Sequence, residues 1–288
     1  MSSITSLKPW ARETTSERAR TIGYHTAMLV IVVAYIFPAA WALSMSFRTD
    51  ANMFAADQLI PHPVTFEHYG QLFQALPAFG RYFGNTALIA VVGTAGTLLS
   101  SSLAGYALAR FRFPGQSALL GTLLLTLMVP VQATLIPQYV IFRNLGWLNS
   151  PLPIIVPLLF GTPFASFFFR QYFVTLPVEL EDAAAIDGAG PWRTFFRIIV
   201  PLSGPAYLAL GLLTFVSLWN SYFVNSIYLN RQESWVLTQA LQSLIGQYQA
   251  QYGAIMAGVS LISAPIIITY LIFQRWIVRG ISMTGLAN

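Results

Sequence analysis

Long apolar runs alternate with short polar segments along the chain. A helix that spans a bilayer needs about 20 apolar residues, and the runs reach that length. They are continuously apolar rather than alternating over about ten residues, which favours helices over barrel strands. The pattern therefore predicts an all-α integral membrane protein with six transmembrane helices. The runs lie at approximately residues 24–47, 85–109, 117–142, 152–172, 202–229 and 254–275.

The composition agrees with this pattern. Only 9% of the 288 residues are charged, 56% are apolar, and the mean hydropathy is +0.62. A typical soluble domain carries roughly a quarter charged residues, so a water-soluble enzyme and a disordered chain are both excluded. The chain has no cysteine, which excludes a disulfide framework, a thiol nucleophile and a thiolate metal site.

The basic residues predict the orientation. If the N-terminus is inside, eleven of the fifteen lysines and arginines fall in cytoplasmic segments and four in outer segments. Cytoplasmic loops carry such an excess, so both termini are expected in the cytoplasm. The net charge of +5 then flanks the membrane, and no nucleic-acid partner is expected. Because the first run has full spanning length, we expect it to remain as a span rather than to be cleaved as a signal peptide.

Residues suited to catalysis or cofactor binding are not grouped in the sequence. The only lysine, Lys8, precedes Pro9, whereas a phosphate-binding loop needs lysine followed by serine or threonine. The three histidines lack metal-ligand spacing. We therefore expect no catalytic residue, no metal and no cofactor bound by this chain. The interiors of the runs also contain no Asp, Glu or Lys, which argues against a proton-driven carrier.

Small residues recur at every fourth position of the second run. This spacing keeps them on one helix face and allows another backbone to approach closely. Tight packing within a helical bundle explains the stripe, and a moving interface is the alternative. The stripe consists of Gly93, Thr97, Ser101, Gly105 and Ala109.

Prolines and polar side chains occur inside three other runs. Prolines interrupt the third and fourth runs, as expected for irregular backbone around a cavity or for kinked packing. The fifth run carries hydroxyl and amide groups, which either form hydrogen bonds between helices or line a wet path for a polar solute. Both interpretations stay open. The candidate solute-path residues are Ser217, Asn220, Ser221 and Asn225.

The segment at 177–201 differs from every other polar segment. Pro177 suits a first helical position, three acidic residues follow it, and then three alanines favour a helix. Gly188 can close this helix in a left-handed conformation. A second amphipathic stretch at 192–200 leads through Pro201 into the fifth run. A rigid helix joined in this way to a membrane helix can transmit force to a partner, and the alternative is a helix lying passively on the membrane surface.

An ordered set of residues in this segment carries a family resemblance. Asp182-Ala183-Ala184 is followed by Gly188, then by Ile198 and Val200-Pro201. The set resembles the EAA loop of the membrane subunits of binding-protein-dependent ABC importers, with conservative changes of Glu to Asp and of Leu to Val. The resemblance implies a coupling helix that docks in a cleft on a separate ATP-hydrolysing subunit. The residues to which this role is carried over are Asp182, Ala183, Ala184, Asp187, Gly188, Ile198 and Pro201.

Other segments are similar to the sugar-type permeases of this family. They include the stretch at 104–115, Met128-Val129-Pro130 and Trp219-Asn220. The resemblance is to the smaller permease partner of maltose-type systems, and it implies the transmembrane-domain fold of ABC type I importers. The expected organisation is an N-terminal cytoplasmic segment at 1–23, a single six-helix permease domain at 24–285 with its coupling loop at 173–200, and a tail at 286–288.

The resemblance also implies a function and a set of partners. The chain would be a permease subunit in the bacterial cytoplasmic (inner) membrane and would form half of the translocation path for a sugar or sugar-like solute. The implied partners are a homologous permease, two ATP-binding subunits that hold ATP and Mg, an extracytoplasmic solute-binding protein and membrane lipid. An importer for another polar solute, such as a polyol or a glycerol phosphate ester, is the nearest alternative. A secondary carrier is a more distant one.

Overall fold

The structure is a computed structural model that describes residues 15–54, 59–247 and 252–284. Within these ranges the secondary structure is helical, and no strand is formed. The predicted N-terminal segment as far as residue 14 and the predicted tail at 286–288 lie outside the described residues. The helices are α1 (Thr15–Ser46), α2 (Glu67–Ala75), α3 (Phe79–Arg110), α4 (Gln116–Leu127), α5 (Val131–Asn144), α6 (Leu152–Leu159), α7 (Pro163–Val174), α8 (Glu179–Ile186), α9 (Pro191–Thr194), α10 (Val200–Leu202), α11 (Gly204–Trp219), α12 (Phe223–Tyr228), α13 (Leu237–Gln247) and α14 (Tyr252–Thr284).

Three of the predicted runs each form one continuous helix. The first, second and sixth runs correspond to α1, α3 and α14, and each helix extends beyond the apolar run that predicted it. Helices α1 and α14 continue through Pro38 and Pro265, so a proline inside a run does not by itself end a helix. All three are long and apolar enough to cross a membrane.

The third run is interrupted, as its prolines predict. It forms α4 and α5, whose axes are bent by 99° at the break between them. Pro130 precedes α5 with an extended backbone, φ −65° and ψ 135°. Proline lacks the N–H needed to continue a helical ladder, and the residue before it is pushed out of the helical region.

The fifth run is broken as well, which corrects the prediction of one uninterrupted segment at 202–229. Helix α11 ends at Trp219, and α12 begins at Phe223. The fourth run forms α6 and α7 on either side of Gly161, which adopts φ +86°. The hydroxyl of Ser101 accepts a hydrogen bond from the backbone N–H of Thr162 at 3.0 Å, so a neighbouring helix satisfies one of the donors that this break releases.

Membrane spans can be counted from these helices by length and composition. Within the described residues four helical stretches qualify alone, and six qualify if each bent pair is one span. The bent pairs are α4 with α5, and Pro191–Leu202 with α11. The chain is thus an all-α membrane protein, as the apolar pattern predicts.

The chain forms two compact units. The first contains residues up to Tyr69 together with Tyr252–Ser260. In it, the buried Arg48 donates from Nη1 to the carbonyl of Met53 at 3.2 Å, and its guanidinium lies 4.3 Å from the ring centroid of Trp41. Such contacts let a cation be buried without losing its hydrogen bonds.

The second unit contains residues 70–251 and 261–288, and it is organised around α3. Helices α6, α7 and α11 pack against α3. One buried cluster includes Ile89, near the start of α3, and another includes Tyr106, near its end. Because a helix rises 1.5 Å per residue, these two positions are about 25 Å apart along α3.

The small-residue stripe of α3 faces this packing. Its first four members are buried and Ala109 is half-buried. A Cβ added at Gly105 would lie 2.7 Å from Cβ of Phe169 and 2.8 Å from the backbone nitrogen of Arg170. The stripe therefore allows α3 and α7 to approach at backbone distance, as predicted for tight packing.

Candidate functional site

Helix α8 forms where the sequence predicts a surface helix. It begins at Glu179, two residues later than Pro177, to which the sequence assigned the first helical position. Three acidic side chains in its first turn complement the positive end of the helix dipole. Gly188 adopts φ +75°, so the predicted left-handed conformation of this residue is confirmed.

Two backbone hydrogen bonds close α8. The N–H of Gly188 donates to the carbonyl of Ala185 at 3.0 Å, and the N–H of Ala189 donates to the carbonyl of Ala184 at 2.9 Å. This is the Schellman arrangement, which satisfies carbonyls at a helix end. No described atom lies within 4 Å of the Cβ position at Gly188. Glycine is therefore required there by its backbone conformation and not by lack of space.

The two faces of α8 have different environments. Ala184 is only 5% exposed and Glu181 is half-buried, so these two residues face the rest of the chain. Asp182 and Ala183 are exposed, and the side chain of Ile186 is 88% exposed. The outward face of α8 thus combines acidic side chains with the exposed Ile186 and is open to a partner or to the membrane surface.

An ion pair attaches α8 to the end of α3. Nε of Arg110 donates to one carboxylate oxygen of Glu181, and the hydroxyl of Tyr106 donates to the other at 3.1 Å. Nη2 of Arg110 also donates to the carbonyl of Leu176 at 2.8 Å. The side chains of Arg110 and Glu181 are 9% and 16% exposed, so water screens this pair less than a surface pair.

A second helical stretch, Pro191–Leu202, follows α8. It contains a π-helical turn at Phe195–Ile199, and the first and last side chains of this turn are buried in the cluster that includes Tyr106. Ile198 is half-buried inside the turn, and Pro201 is exposed just beyond it. The structure thus brings five of the candidate coupling residues together on α8 and its cap, and it places the remaining two on the next stretch.

The candidate solute-path residues do not share one continuous helix, because α11 ends at Trp219. Ser217 and Asn220 are exposed, and Ser221 is half-buried in the break. Asn225 is buried on α12, where its Nδ2 donates to the carbonyl of Ser221 at 2.8 Å. The amide nitrogens of both asparagines are used in local hydrogen bonds, since Nδ2 of Asn220 donates to the carbonyl of Val216 at 3.1 Å.

Sequence reasoning missed three residues of this site. Glu181 was assigned only to the helix dipole, Arg110 to the basic flank of a run and to the stretch at 104–115 that resembles sugar-type permeases, and Ile186 was given no role. The spacing did contain a signal for two of them. Glu181 lies three residues before Ala184 and therefore on the same helix face, and Tyr106 and Arg110 lie one turn apart on α3.

The site has features of contact and movement rather than of catalysis. Within the described ranges no group of three or more His, Asp or Glu side chains could hold a metal ion. A capped helix with one face attached to a membrane helix and the other face exposed can receive a partner and pass its displacement on. Together with the bent apolar spans, this describes a helical membrane protein that carries an attached and partly exposed helix outside its spans.

Residues 96–283 match the model of the family described as binding-protein-dependent transport system inner membrane component. The match covers more than half of the chain, and the chain belongs to this family. It is a permease subunit of an ABC importer, a transport subunit of the inner membrane. The predicted family and its fold are therefore confirmed.

Curated relatives match over almost their full length. The chain is 33% identical over 273 residues to the lactose transport system permease protein LacG of Rhizobium radiobacter, covering 93% of this chain and 97% of that protein. It is 31% identical over 261 residues to the diacetylchitobiose uptake system permease protein NgcG of Streptomyces coelicolor, covering 90% and 86%. It is 32% identical over 274 residues to the sn-glycerol-3-phosphate transport system permease protein UgpE of Yersinia pestis, covering 92% and 97%.

A solved structure has the same fold. A chain of a bacterial ABC transporter involved in the import of the acidic polysaccharide alginate superposes with a TM-score of 0.77 and 23% identity, covering 93% of this chain and 99% of that one. A second structure of an alginate ABC transporter, in complex with an alginate pentasaccharide-bound periplasmic protein, superposes with a TM-score of 0.64 and 17% identity, covering 90% and 96%.

Proposed function

We propose that this permease imports a sugar or a sugar-like solute and that α8 is its coupling helix. The observation that carries the coupling role is the geometry of α8. Its EAA-like sequence forms a capped helix, with Ala184 facing the chain and Ile186 88% exposed. Relatives named for lactose and diacetylchitobiose transport support a saccharide as the solute. The relative named for sn-glycerol-3-phosphate transport favours a glycerol phosphate ester as the second candidate.

In the proposed cycle, two separate subunits bind ATP and Mg and close on each other. Their closure displaces α8, which docks on one of them through its exposed face. The displacement passes through the stretch Pro191–Leu202 and Pro201 into α11, whose axis is bent by 76° from that stretch. The cavity between this chain and a homologous permease then faces outward and afterwards inward, as nucleotide occupancy shifts the equilibrium between the two states.

The assembly would also contain an extracytoplasmic solute-binding protein. The excess of basic residues in alternate segments supports an orientation with both termini in the cytoplasm. In that orientation α8 lies on the cytoplasmic side, where ATP is available. Residues 24–285 would act as one permease domain, with the loop at 173–200 as its coupling element.

Purification of the tagged full chain from its native membranes in mild detergent tests this function. We expect a homologous permease and an ATPase with a phosphate-binding loop to copurify. When the solute-binding protein is added, the ATPase activity of the complex should rise with lactose, diacetylchitobiose or sn-glycerol 3-phosphate. A chain that purifies alone and transports on its own would contradict the proposal and favour a secondary carrier. A complex that responds to sn-glycerol 3-phosphate and to neither saccharide would contradict the proposed solute class.

The polar residues at the end of α11 should contribute to solute transport. We expect the double variant Asn220→Ala/Ser221→Ala to raise the half-saturation concentration for uptake about thirtyfold, since two hydrogen bonds to a solute contribute about 1 kcal/mol each. Uptake as a function of solute concentration in cells that express the complete system measures this.

The matched control for this double variant is Ser226→Ala/Asn230→Ala. It removes the same two kinds of side chain a few residues further along the chain. The control should keep the half-saturation concentration of the unmodified system. Unchanged uptake in both double variants would mean that the side chains of Asn220 and Ser221 have a structural role only.

A further inference from the structure

We infer that Arg110 is a positioning residue for coupling, because it makes the end of α3 and the coupling helix α8 move as one body. The inference rests on the proposed coupling role of α8 and extends it. The proposed route from α8 to the membrane follows the chain through Pro201 into α11. The contacts of Arg110 add a second route, which does not follow the chain and leads directly into α3.

The geometry of Arg110 supports this role. It is the last residue of α3, and its guanidinium binds on two sides of the turn between α7 and α8. Nη2 donates to the carbonyl of Leu176, in that turn, and Nε donates to the carboxylate of Glu181, in the first turn of α8. Two bonds from one planar guanidinium fix an orientation as well as a distance, which a single contact does not.

Tyr106 completes the attachment. It lies one helical turn before Arg110 on α3, and its hydroxyl donates to the second carboxylate oxygen of Glu181. Both oxygens of Glu181 are therefore held by α3. The ring of Tyr106 is itself buried with Phe173 of α7 and Phe195 of the stretch after α8, so the attachment is continuous with a packed core.

Helix α3 is suited to carry the displacement further. Gly105 of its small-residue stripe packs against α7 at backbone distance, and Ile89, in the first half of the helix, belongs to the other buried cluster of the unit. Packed cores deform little. A shift imposed on Glu181 is therefore expected to reach the far cluster, about 30 Å from Arg110 along the helix.

Two interpretations of the ion pair can be separated by experiment. If it only stabilises the fold, its loss lowers the amount or the thermal stability of the complex, while each complex that remains imports as much solute per ATP as before. If it couples α8 to α3, its loss lowers the number of solutes imported per ATP hydrolysed in complexes that are still assembled. The ratio of uptake to hydrolysis distinguishes the two.

The experiment uses the complete complex in proteoliposomes with its solute-binding protein and whichever of lactose, diacetylchitobiose or sn-glycerol 3-phosphate stimulates the unmodified complex. Arg110→Gln and Glu181→Gln should each lower solute imported per ATP on the order of tenfold, since each removes charge-assisted hydrogen bonds. The double variant should be no worse than either single variant, because both changes break one interaction. Arg112→Gln, at an exposed arginine two residues further along, should keep the unmodified ratio.

Each outcome has a defined meaning. Unchanged solute per ATP in Arg110→Gln, or single effects that multiply in the double variant, would overturn the positioning role. Ala184→Arg serves as the reference for the proposed function. If it uncouples transport and the Arg110 and Glu181 variants do not, the coupling role of α8 stands and this inference fails. If Ala184→Arg also has no effect, the coupling role itself fails.

Discussion

Replacing Ala184 by arginine should lower uptake at least about a hundredfold while the chain still inserts into the membrane. Ala184 is 5% exposed and faces the chain on the same side of α8 as Glu181. An arginine side chain does not fit in the space that Ala184 fills, and overpacking of this kind costs about 3 kcal/mol at the upper end of its range. Its guanidinium would also compete with Arg110 for Glu181, and α8 has only 8 residues with which to resist displacement. Helix α8 should therefore lose its packing against the rest of the chain, and Ile186 should no longer contact the ATPase subunit. Solute uptake and ATP hydrolysis by membrane vesicles, measured together, give the result.

Ala184→Ser is the matched control, because serine is almost as small as alanine and carries no charge. It should retain most of the uptake.

Gly188→Pro should cause the same loss of uptake as Ala184→Arg by another route, since proline cannot adopt the φ of +75° and has no N–H for the carbonyl of Ala185. Membrane fractions probed for the tagged chain should show that insertion is preserved in both variants. Normal uptake in Ala184→Arg vesicles would remove α8 from the coupling mechanism.

The apolar pattern predicted where the helices lie but not how they bend. A run of apolar residues records only that the segment is surrounded by hydrocarbon or by other side chains. The angle of 99° between α4 and α5 depends on what each half packs against. Pro130 showed where a break was possible. Proline alone does not separate a kink from a reversal of direction, because neighbouring helices decide where the freed groups find partners.

The break after Trp219 had a weaker signal. The residues Asn220, Ser221 and Tyr222 form the non-helical link between α11 and α12, and helical periodicity continues through them in the sequence. The structure shows a tertiary cause. The Nε1 of Trp219 donates to the carbonyl of Ile262 on α14 at 3.0 Å, and Thr238 donates to the carbonyl of Ser221 at 2.8 Å. Partners more than ten residues away cannot be read from local spacing.

The coupling helix could be predicted well because its determinants are local. Acidic residues in a first turn, consecutive alanines and a glycine at the C-terminal cap all act within about ten residues of one another. The identity of the buried face of α8 does not depend on local sequence. It depends on Arg110, which is separated from Glu181 by 71 positions. For this reason the sequence grouped Ala184 with exposed residues such as Asp182, although the two face in different directions.

Substitution of Gly105 by valine should strongly destabilise the folded chain. The spacing of the stripe predicted close packing, but it could not say which glycine is tightest. At Gly93 an added Cβ would meet only the flexible ends of two leucine side chains, at 2.8 Å. At Gly105 it would meet the backbone nitrogen of Arg170 at 2.8 Å and the carbonyl oxygen of Ser166 at 3.0 Å. Backbone atoms of α7 cannot turn away as a side chain can, so α3 and α7 would have to separate.

The expected loss for Gly105→Val is about 3 kcal/mol or more, at the upper end of the range for overpacked cores. Gly84→Val is the matched control, because Gly84 lies on the same helix and no described atom lies within 4 Å of its Cβ position. Thermal denaturation of the detergent-solubilised complex, followed by the fraction that remains monodisperse, should give a much lower midpoint for Gly105→Val and a small shift for Gly84→Val. Equal midpoints for the two variants would mean that α3 and α7 do not pack at this distance in the membrane. The attachment of α8 through Tyr106 and Arg110 would then lack the rigid helix on which force transmission depends.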